Sequence, residues 1–418
     1  MKKRRICLIF TSCVLLLSVL FGAVGCALSV SAESLMDGIE ARSVTPLSDL
    51  KSKNAATTDF AVRLFGETFN KEENTLISPI SVLCALAMTA NGAEGNTLSE
   101  MESALGMTRE ELNNYVYTYM GSLSTSDKYK LSLANSIWFT DDDAFSVNTD
   151  FLQTNADYFG ADIYKAPFDN STLRDINRWV KNSTDGMIPN ILDRIPDEAV
   201  MYLVNALAFE AEWAEIYEKS QVRDGSFTTE SGEVQTVDMM YSSEGKYLSD
   251  GMATGFMKYY SGRKYAFVAL LPNEGVTVEE YVGSLDGESL NNMLSSAESR
   301  TVEVSVPKFE VEYDIEMSDT LKSMGISDAF DAASANFESL GSYESENIYI
   351  SRVLHKTYIS VGERGTKAGA VTVIEMECGS AAPPQEIKRV YLDRPFVYML
   401  VDCENNIPFF IGAFMSAK

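Results

Sequence analysis

Residues 362–384 read GERGTKAGAVTVIEMECGSAAPP, a small-residue stretch shortly before the last strands of a 418-residue chain. From Thr366 onward the uncharged side chains Thr366, Ala368, Ala370, Thr372, Ile374 and Met376 fall on even positions, whereas Lys367, Glu375 and Glu377 fall on odd ones. Charge segregated with a period of two is the pattern of a strand with one buried face. Yet Gly365, Gly369 and Gly379, with the Pro383-Pro384 pair, mark an exposed loop. A segment written both as loop and as strand predicts a switch, in which an exposed loop can later enter a sheet.

The sequence on either side supplies the sheet. Downstream, FVYMLVDC and IPFFIGAF flank ENN as a closing hairpin. Upstream, TVEVSVPKFEVEY alternates, FMKYY and YAFVALLP form a hairpin around Ser261-Gly262, and YKLSLANSIWF (129–139) alternates as well. AVMYLVNALAF (199–209) is apolar on both faces, which predicts a strand in the middle of a covered sheet.

Helices dominate the first half. Phe60, Ala61, Leu64, Phe65 and Phe69 recur at helical spacing, and Ser78-Pro79 sets an N-cap and first-turn proline before ISVLCALAMTANG, closed by Gly92. Thr97 with Glu100 and Thr108 with Glu111 match the capping-box pattern, with Gly106 and Gly121 as stops. Further helices are expected over 149–159 and 171–182, the latter carrying Trp179. No repeat or low-complexity linker divides residues 57–418, so we expect one α+β domain: N-terminal helices packed on large, mostly antiparallel sheets.

The N-terminus points to export. MKKRR and the apolar run ICLIFTSCVLLLSVLFGAVG read as a secretory signal over residues 1–32. Two endings compete: Ala23-Val24-Gly25-Cys26 approximates a lipoprotein box, and Val30-Ser31-Ala32 fits ordinary cleavage. Residues 33–56 are polar and aperiodic and read as a flexible tether. A secreted or cell-surface location follows, with any membrane contact only through a lipid anchor.

The chain carries 34 Lys and Arg against 60 Asp and Glu, a formal charge of −26, which becomes four units more negative once Lys2, Lys3, Arg4 and Arg5 are removed. Nucleic acid is therefore not an expected partner. Of six cysteines, Cys7, Cys13 and Cys26 lie in the signal; Cys84, Cys378 and Cys403 are too few and too widely spaced for a disulfide framework.

Catalytic motifs are lacking. The chain has one histidine, His355, so a histidine-rich metal site is excluded, and no GxSxG, HExxH, GxxxxGK[ST] or strand-linked GxGxxG occurs. No cofactor or metal is expected, and a Ser/His/Asp enzyme would have to rest on His355 alone. His355 lies in NIYISRVLHKTYISV, and Asn205 interrupts the apolar run at 199–209. Buried polar groups need partners. The plain reading is a satisfied core histidine; the sharper one is that His355 and Asn205 bond each other across strands that later separate.

Five segments in order resemble the serpin family: NTLISPISVLCALAMTANGAEGNT, YLVNALAFEAEW, VEVSVPKFEVEYD, LHKTYISVGERGTKAGAVT and DRPFVYMLVDCENNIPFFIGAF. The likeness covers nearly all of 57–418. It implies a single serpin domain with an exposed reactive-centre loop at about 362–386. Matched residue by residue, Ser78, Ser81, Asn205 and His355 fall on the family's shutter, where the main sheet opens, and Trp213 on its breach, where the loop enters. Glu363, Gly365, Thr366, Lys367, Ala368, Gly369 and Ala370 fall on the hinge.

The resemblance further implies a monomeric suicide inhibitor of serine proteases, not an enzyme. The target attacks the loop as a substrate and forms an acyl-enzyme, and the freed loop inserts into the sheet and deforms the protease. The small hinge residues comply with the inhibitory pattern; Arg364 and Lys367 depart from the acidic residues common there. The family's hinge-to-bond spacing sets the reactive bond at Gly379-Ser380, with Cys378, Ala381 and Met376 as alternatives. Between Lys367 and Lys388 there is no Lys or Arg, which argues against trypsin-like targets, and small residues at the cut favour elastase-like or subtilisin-like ones. Cys378 is read as a small bait residue, with a redox switch as the alternative. Competing readings are a non-inhibitory serpin, acting as a binding protein or plain substrate, and a cross-class inhibitor of cysteine proteases.

Overall fold

Strand β6 (Met201–Glu212) is apolar to both sides because both of its faces are covered. The computed structural model describes residues 30–123, 126–195, 199–344, 347–366 and 386–418. In it, β6 lies inside a seven-stranded main sheet. The order is β1 (Glu33–Ser34), β5 (Asp162–Ala166), β3 (Tyr129–Thr140), β6, β15 (Gly365–Thr366), β14 (Arg352–Gly362) and β12 (Phe309–Glu316).

A second sheet of nine strands runs β16 (Lys388–Tyr391), β11 (Glu298–Pro307), β8 (Val234–Ser249), β9 (Ala253–Tyr259), β10 (Tyr265–Pro272), β17 (Phe396–Asp402), β18 (Ile407–Phe414) and β2 (Thr75–Ile77), with β7 (Val222–Thr228) paired to β8. Strands β4 (Phe145–Val147) and β13 (Gly341–Tyr343) pair separately. Most pairings are antiparallel; among the described residues β3–β5, β6–β14 and β11–β16 are parallel.

The helices are α1 (Lys51–Thr68), α2 (Pro79–Ala90), α3 (Gly95–Leu105), α4 (Arg109–Ser122), α5 (Thr149–Phe159), α6 (Asn170–Ser183), α7 (Val278–Ser284), α8 (Gly287–Ser295) and α9 (Ser318–Ser323). Helix α2 is buried along its whole length and packs against β3, β6 and β18, which explains why ISVLCALAMTA has no polar face. On the opposite face of the main sheet, Ile176 and Trp179 of α6, with Ile188, Ile191 and Leu192, cover Trp138, Tyr202, Val204, Ala206 and Leu354. The α+β architecture read from the sequence is the one observed.

The structure corrects several local readings. Residues 33–56 are not a free tether: β1 pairs with β5, the Leu35 N–H donates to the Ile163 carbonyl at 2.8 Å, and α1 begins at Lys51 rather than near Thr57. The segment is aperiodic because side chains of other elements hold it. Asp157 accepts from the Arg42 N–H at 2.7 Å and pairs with its guanidinium, and just upstream of the segment Asp175 accepts from the N–H groups of Ser31 and Ala32, both at 2.9 Å.

The capping box at Thr108 and Glu111 is present, and Gly106 caps α3 in the left-handed region at φ 69°. That at Thr97 and Glu100 is not, since α3 starts at Gly95 and both side chains serve long-range partners. Thr97 accepts from the Asn336 N–H at 3.0 Å, and Glu100 from those of Ser327 and Asp328, both at 2.8 Å. Gly121 lies inside α4, which runs one residue further. TVEVSVPKFEVEY, read as one alternating run, is two strands in different sheets, breaking at Lys308, whose N–H donates to the Asp238 carbonyl at 2.8 Å.

Candidate functional site

Strands β6 and β14 pair directly only over Tyr202–Ala206 against Arg352–Lys356. Beyond that seam β15 lies between them, antiparallel to both, with Thr366 opposite Ala211 and Val361, and Gly365 opposite Glu212 and Gly362. The main sheet is therefore zipped over the first half of β6 and β14 and wedged open at the other end by two residues of the predicted hinge.

In the zipped half, Asn205 and His355 are register partners. His355 Nε2 accepts from the Ser78 backbone N–H at 3.0 Å, so the ring proton sits on Nδ1 and is donated to Asn205 Oδ1 at 2.6 Å. The Ser81 hydroxyl donates to the same oxygen at 2.8 Å, and Thr357 Oγ1 donates to the Leu76 carbonyl at 2.7 Å. Ser78 and Ser81 arrive on α2, whose first turn is set by Pro79.

Ser78, Ser81 and Asn205 are fully buried and His355 is 1 % exposed. Burial pushes the imidazole pKa down to about 3, so the ring is neutral. This cannot be a catalytic triad: no carboxylate meets Nδ1, the serine contact is a backbone amide, and substrate has no access. The predicted bond between His355 and Asn205 across the seam is present. Asn205 Nδ2, Ser78 Oγ and, opposite Asn205 on β3, Asn135 Oδ1 are buried without a partner among the described residues. Each orphan costs about 1–3 kcal/mol, so the closed seam is an expensive arrangement.

At the wedged end, Trp213 follows β6. Its indole N–H donates to the Gly362 carbonyl at 2.9 Å and its backbone N–H to the Arg364 carbonyl at 2.8 Å. The ring stacks on Tyr260 at 4.3 Å, and the Tyr260 hydroxyl bonds the buried Thr366 hydroxyl. Glu363 pairs with Lys308 at 2.9 Å, which holds its carboxyl below the usual range, and the Glu363 carbonyl accepts from the Tyr217 N–H at 2.9 Å. Gly365, at φ 148°, has no room for a side chain, since a Cβ would stand 1.9 Å from the Ala211 carbonyl oxygen.

Three groups here escaped the sequence reading. Lys258, 3 % exposed at its side chain, pairs with Glu244 at 2.8 Å and lies 4.4 Å over the Tyr217 ring and 5.4 Å over that of Trp213. Glu212 pairs with Arg364 at 3.0 Å and also with Lys128. Tyr260 links Trp213 to Thr366. Lys367, Ala368, Gly369 and Ala370 of the predicted hinge, and Met376, Cys378, Gly379, Ser380 and Ala381 around the predicted bond, lie outside the described residues.

Comparison with known proteins agrees with this architecture. The family model for "Serpin (serine protease inhibitor)" matches residues 55–417. The chain is 26 % identical to the leukocyte elastase inhibitor of Equus caballus over 88 % of this chain and all of that one. It is likewise 26 % identical to neuroserpin of Homo sapiens, over 86 % of this chain and 90 % of that one. Among solved structures, the thermophilic serpin tengpin in its native state superposes with a TM-score of 0.88 at 47 % identity, covering 92 % of this chain and 99 % of that one. The same protein in its latent state gives 0.80 at 44 %, covering 90 % and 100 %. With a family model over most of its length and a main sheet wedged open by its own hinge, the chain belongs to the serpin family, whose members are generally inhibitors of serine proteases rather than catalysts and typically act on them as monomers.

Proposed function

We propose that this chain is an inhibitory serpin that traps its target as an acyl-enzyme by inserting the cleaved loop between β6 and β14. The observation that carries the reading is Gly365 and Thr366 already hydrogen-bonded between those strands, so that insertion need only be continued. Continuing both registers would set Thr372 opposite Asn205 and His355 together. Its parity with the buried Thr366 turns its hydroxyl toward the orphaned Asn205 amide. The even-numbered residues 366–376 would all face inward, and none of them is charged.

Strands β6 and β14 begin at Met201 and Arg352, so the seat would run out opposite Met376 and Glu375. A reactive bond at Gly379-Ser380 lies just past that end, with Met376, Cys378 and Ala381 as alternative sites. Roughly a dozen inserted residues at about 0.5–1.5 kcal/mol per hydrogen bond, with added apolar burial, release on the order of 10 kcal/mol. That is comparable with the roughly 5–15 kcal/mol stability of an ordinary domain, enough to disorder a captured protease.

The absence of Lys and Arg between Lys367 and Lys388 argues against trypsin-like targets, and the small residues Gly379 and Ser380 favour elastase-like or subtilisin-like ones. The signal-like N-terminus favours action outside the cell, free or anchored through Cys26. The test is to mix the mature chain with such proteases. An SDS-stable complex with release of a C-terminal fragment beginning at Ser380 is expected; complete cleavage with no complex would instead mark a plain substrate.

A further inference from the structure

We infer that Glu212 is the positioning residue that pins the register of the hinge in the seam before cleavage. It is the last residue of β6, and its backbone is fixed on both sides: its N–H donates to the Lys128 carbonyl at 2.9 Å and its carbonyl accepts from the Ser261 N–H at 2.8 Å. The side chain, 14 % exposed, therefore starts from a rigid base. Its carboxylate joins three chain segments: Lys128 just before β3, β6 itself, and Arg364 in the two-residue turn between β14 and β15.

Among the described ion pairs, Arg364–Glu212 is the one that crosses the seam. Glu363–Lys308 and Lys356–Glu312 join β14 to the neighbouring β12 side, and Lys128–Glu212 joins β6 to β3. Arg364 is 30 % exposed, its Nε is buried without a partner among the described residues, and Glu212 is its ion-pair partner there. Removing that carboxylate leaves a half-buried guanidinium unpaired, and the turn moves outward to hydrate it. The Trp213 and Tyr217 amides, which hold the turn's two carbonyls, then lose their acceptors.

What the pin protects is register. Gly365 opposite Glu212 keeps the even-numbered residues inward; a slip of one would turn Lys367, Glu375 and Glu377 toward the core. For its kinetic consequence this inference rests on the inhibitor reading; for the uncleaved protein it does not. Hydrogen exchange at the Trp213 and Tyr217 amides is therefore measured first in uncleaved wild type, Glu212→Gln, Arg364→Gln and the double variant. We expect each single variant to exchange about tenfold faster, the double to match the singles because both remove the same interaction, and Arg364→Lys to restore slow exchange. Unchanged exchange in Glu212→Gln, or additive effects in the double, overturns the inference. With protease, both singles should slow complex formation about tenfold and raise the fraction cleaved without complex. A wild type that forms no complex, yet shows the exchange pattern, refutes inhibition and leaves the pin standing; slow exchange in every variant does the reverse.

Discussion

Acidification should loosen the seam through His355, by an amount that follows from its burial. An imidazole in the unfolded chain has a pKa of about 6.5; in the native seam it lies at about 3, because burial disfavours the cation. The folded value is depressed, so the unfolded chain takes up the proton first. The contribution is fully present above about pH 6.5 and is lost as pH falls toward 3. At about 1.4 kcal/mol per unit, the loss is roughly 2 kcal/mol at pH 5 and approaches 5 kcal/mol near pH 3.

The structural cause is specific. A proton on Nε2 would face the Ser78 N–H that this nitrogen now accepts. The assay is denaturant unfolding at several pH values between about 7.5 and 4.5, taking midpoint times slope, for wild type and for His355→Gln, which cannot titrate. The difference between the two pH profiles cancels the carboxylates common to both. We expect wild type to lose about 2 kcal/mol more than the variant between pH 7.5 and 5. Parallel profiles would refute the assignment of the seam's acid sensitivity to His355.

Other perturbations probe the wedged end and the N-terminal segment. Gly365→Ala forces a Cβ against the Ala211 carbonyl, so the hinge should leave the seam and the stoichiometry of inhibition should rise severalfold in a titration against protease; an unchanged value would show that β15 is dispensable. Thr366→Arg would need its charge desolvated beside Tyr260, and should convert the chain from inhibitor to substrate on a denaturing gel. Glu244→Ala strands the buried Lys258 ammonium and should cost about 3 kcal/mol in the denaturant midpoint; less than about 1 kcal/mol would mean that the Tyr217 and Trp213 rings suffice. Asp157→Ala removes the acceptor of the Arg42 amide and guanidinium, and should open residues 40–48 to limited proteolysis while the core stays resistant.

The parts of the fold legible in the sequence were those written by local rules. The two-faced apolarity of 199–209 marked β6, and the polar residue inside it, Asn205, pointed to a partner that the structure supplies in His355. Thr108 and Glu111 form their box even though Lys53 pairs with the other oxygen of Glu111, whereas Thr97 and Glu100 are claimed by the 327–336 segment. The N-terminal segment looked like a tether because it has no periodicity of its own; Asp157 and Asp175 hold it from helices more than a hundred residues away. Glu212–Arg364 and Lys258–Glu244 left no local trace either. Arg364 looked only like a departure from the family's acidic habit until Glu212 appeared beside it. The break at Lys308 left only a one-residue shift of phase, from buried Val302, Val304 and Val306 to buried Phe309, Val311 and Tyr313.

The central claim is that the cleaved loop becomes a strand between β6 and β14 in the register that Gly365 and Thr366 already hold. Backbone hydrogen exchange over residues 367–377, before and after cleavage near Gly379, measures this most directly. The account predicts strong new protection across that segment, centred on Thr372 where it meets Asn205 and His355. Amides that exchange as fast after cleavage as before would contradict it.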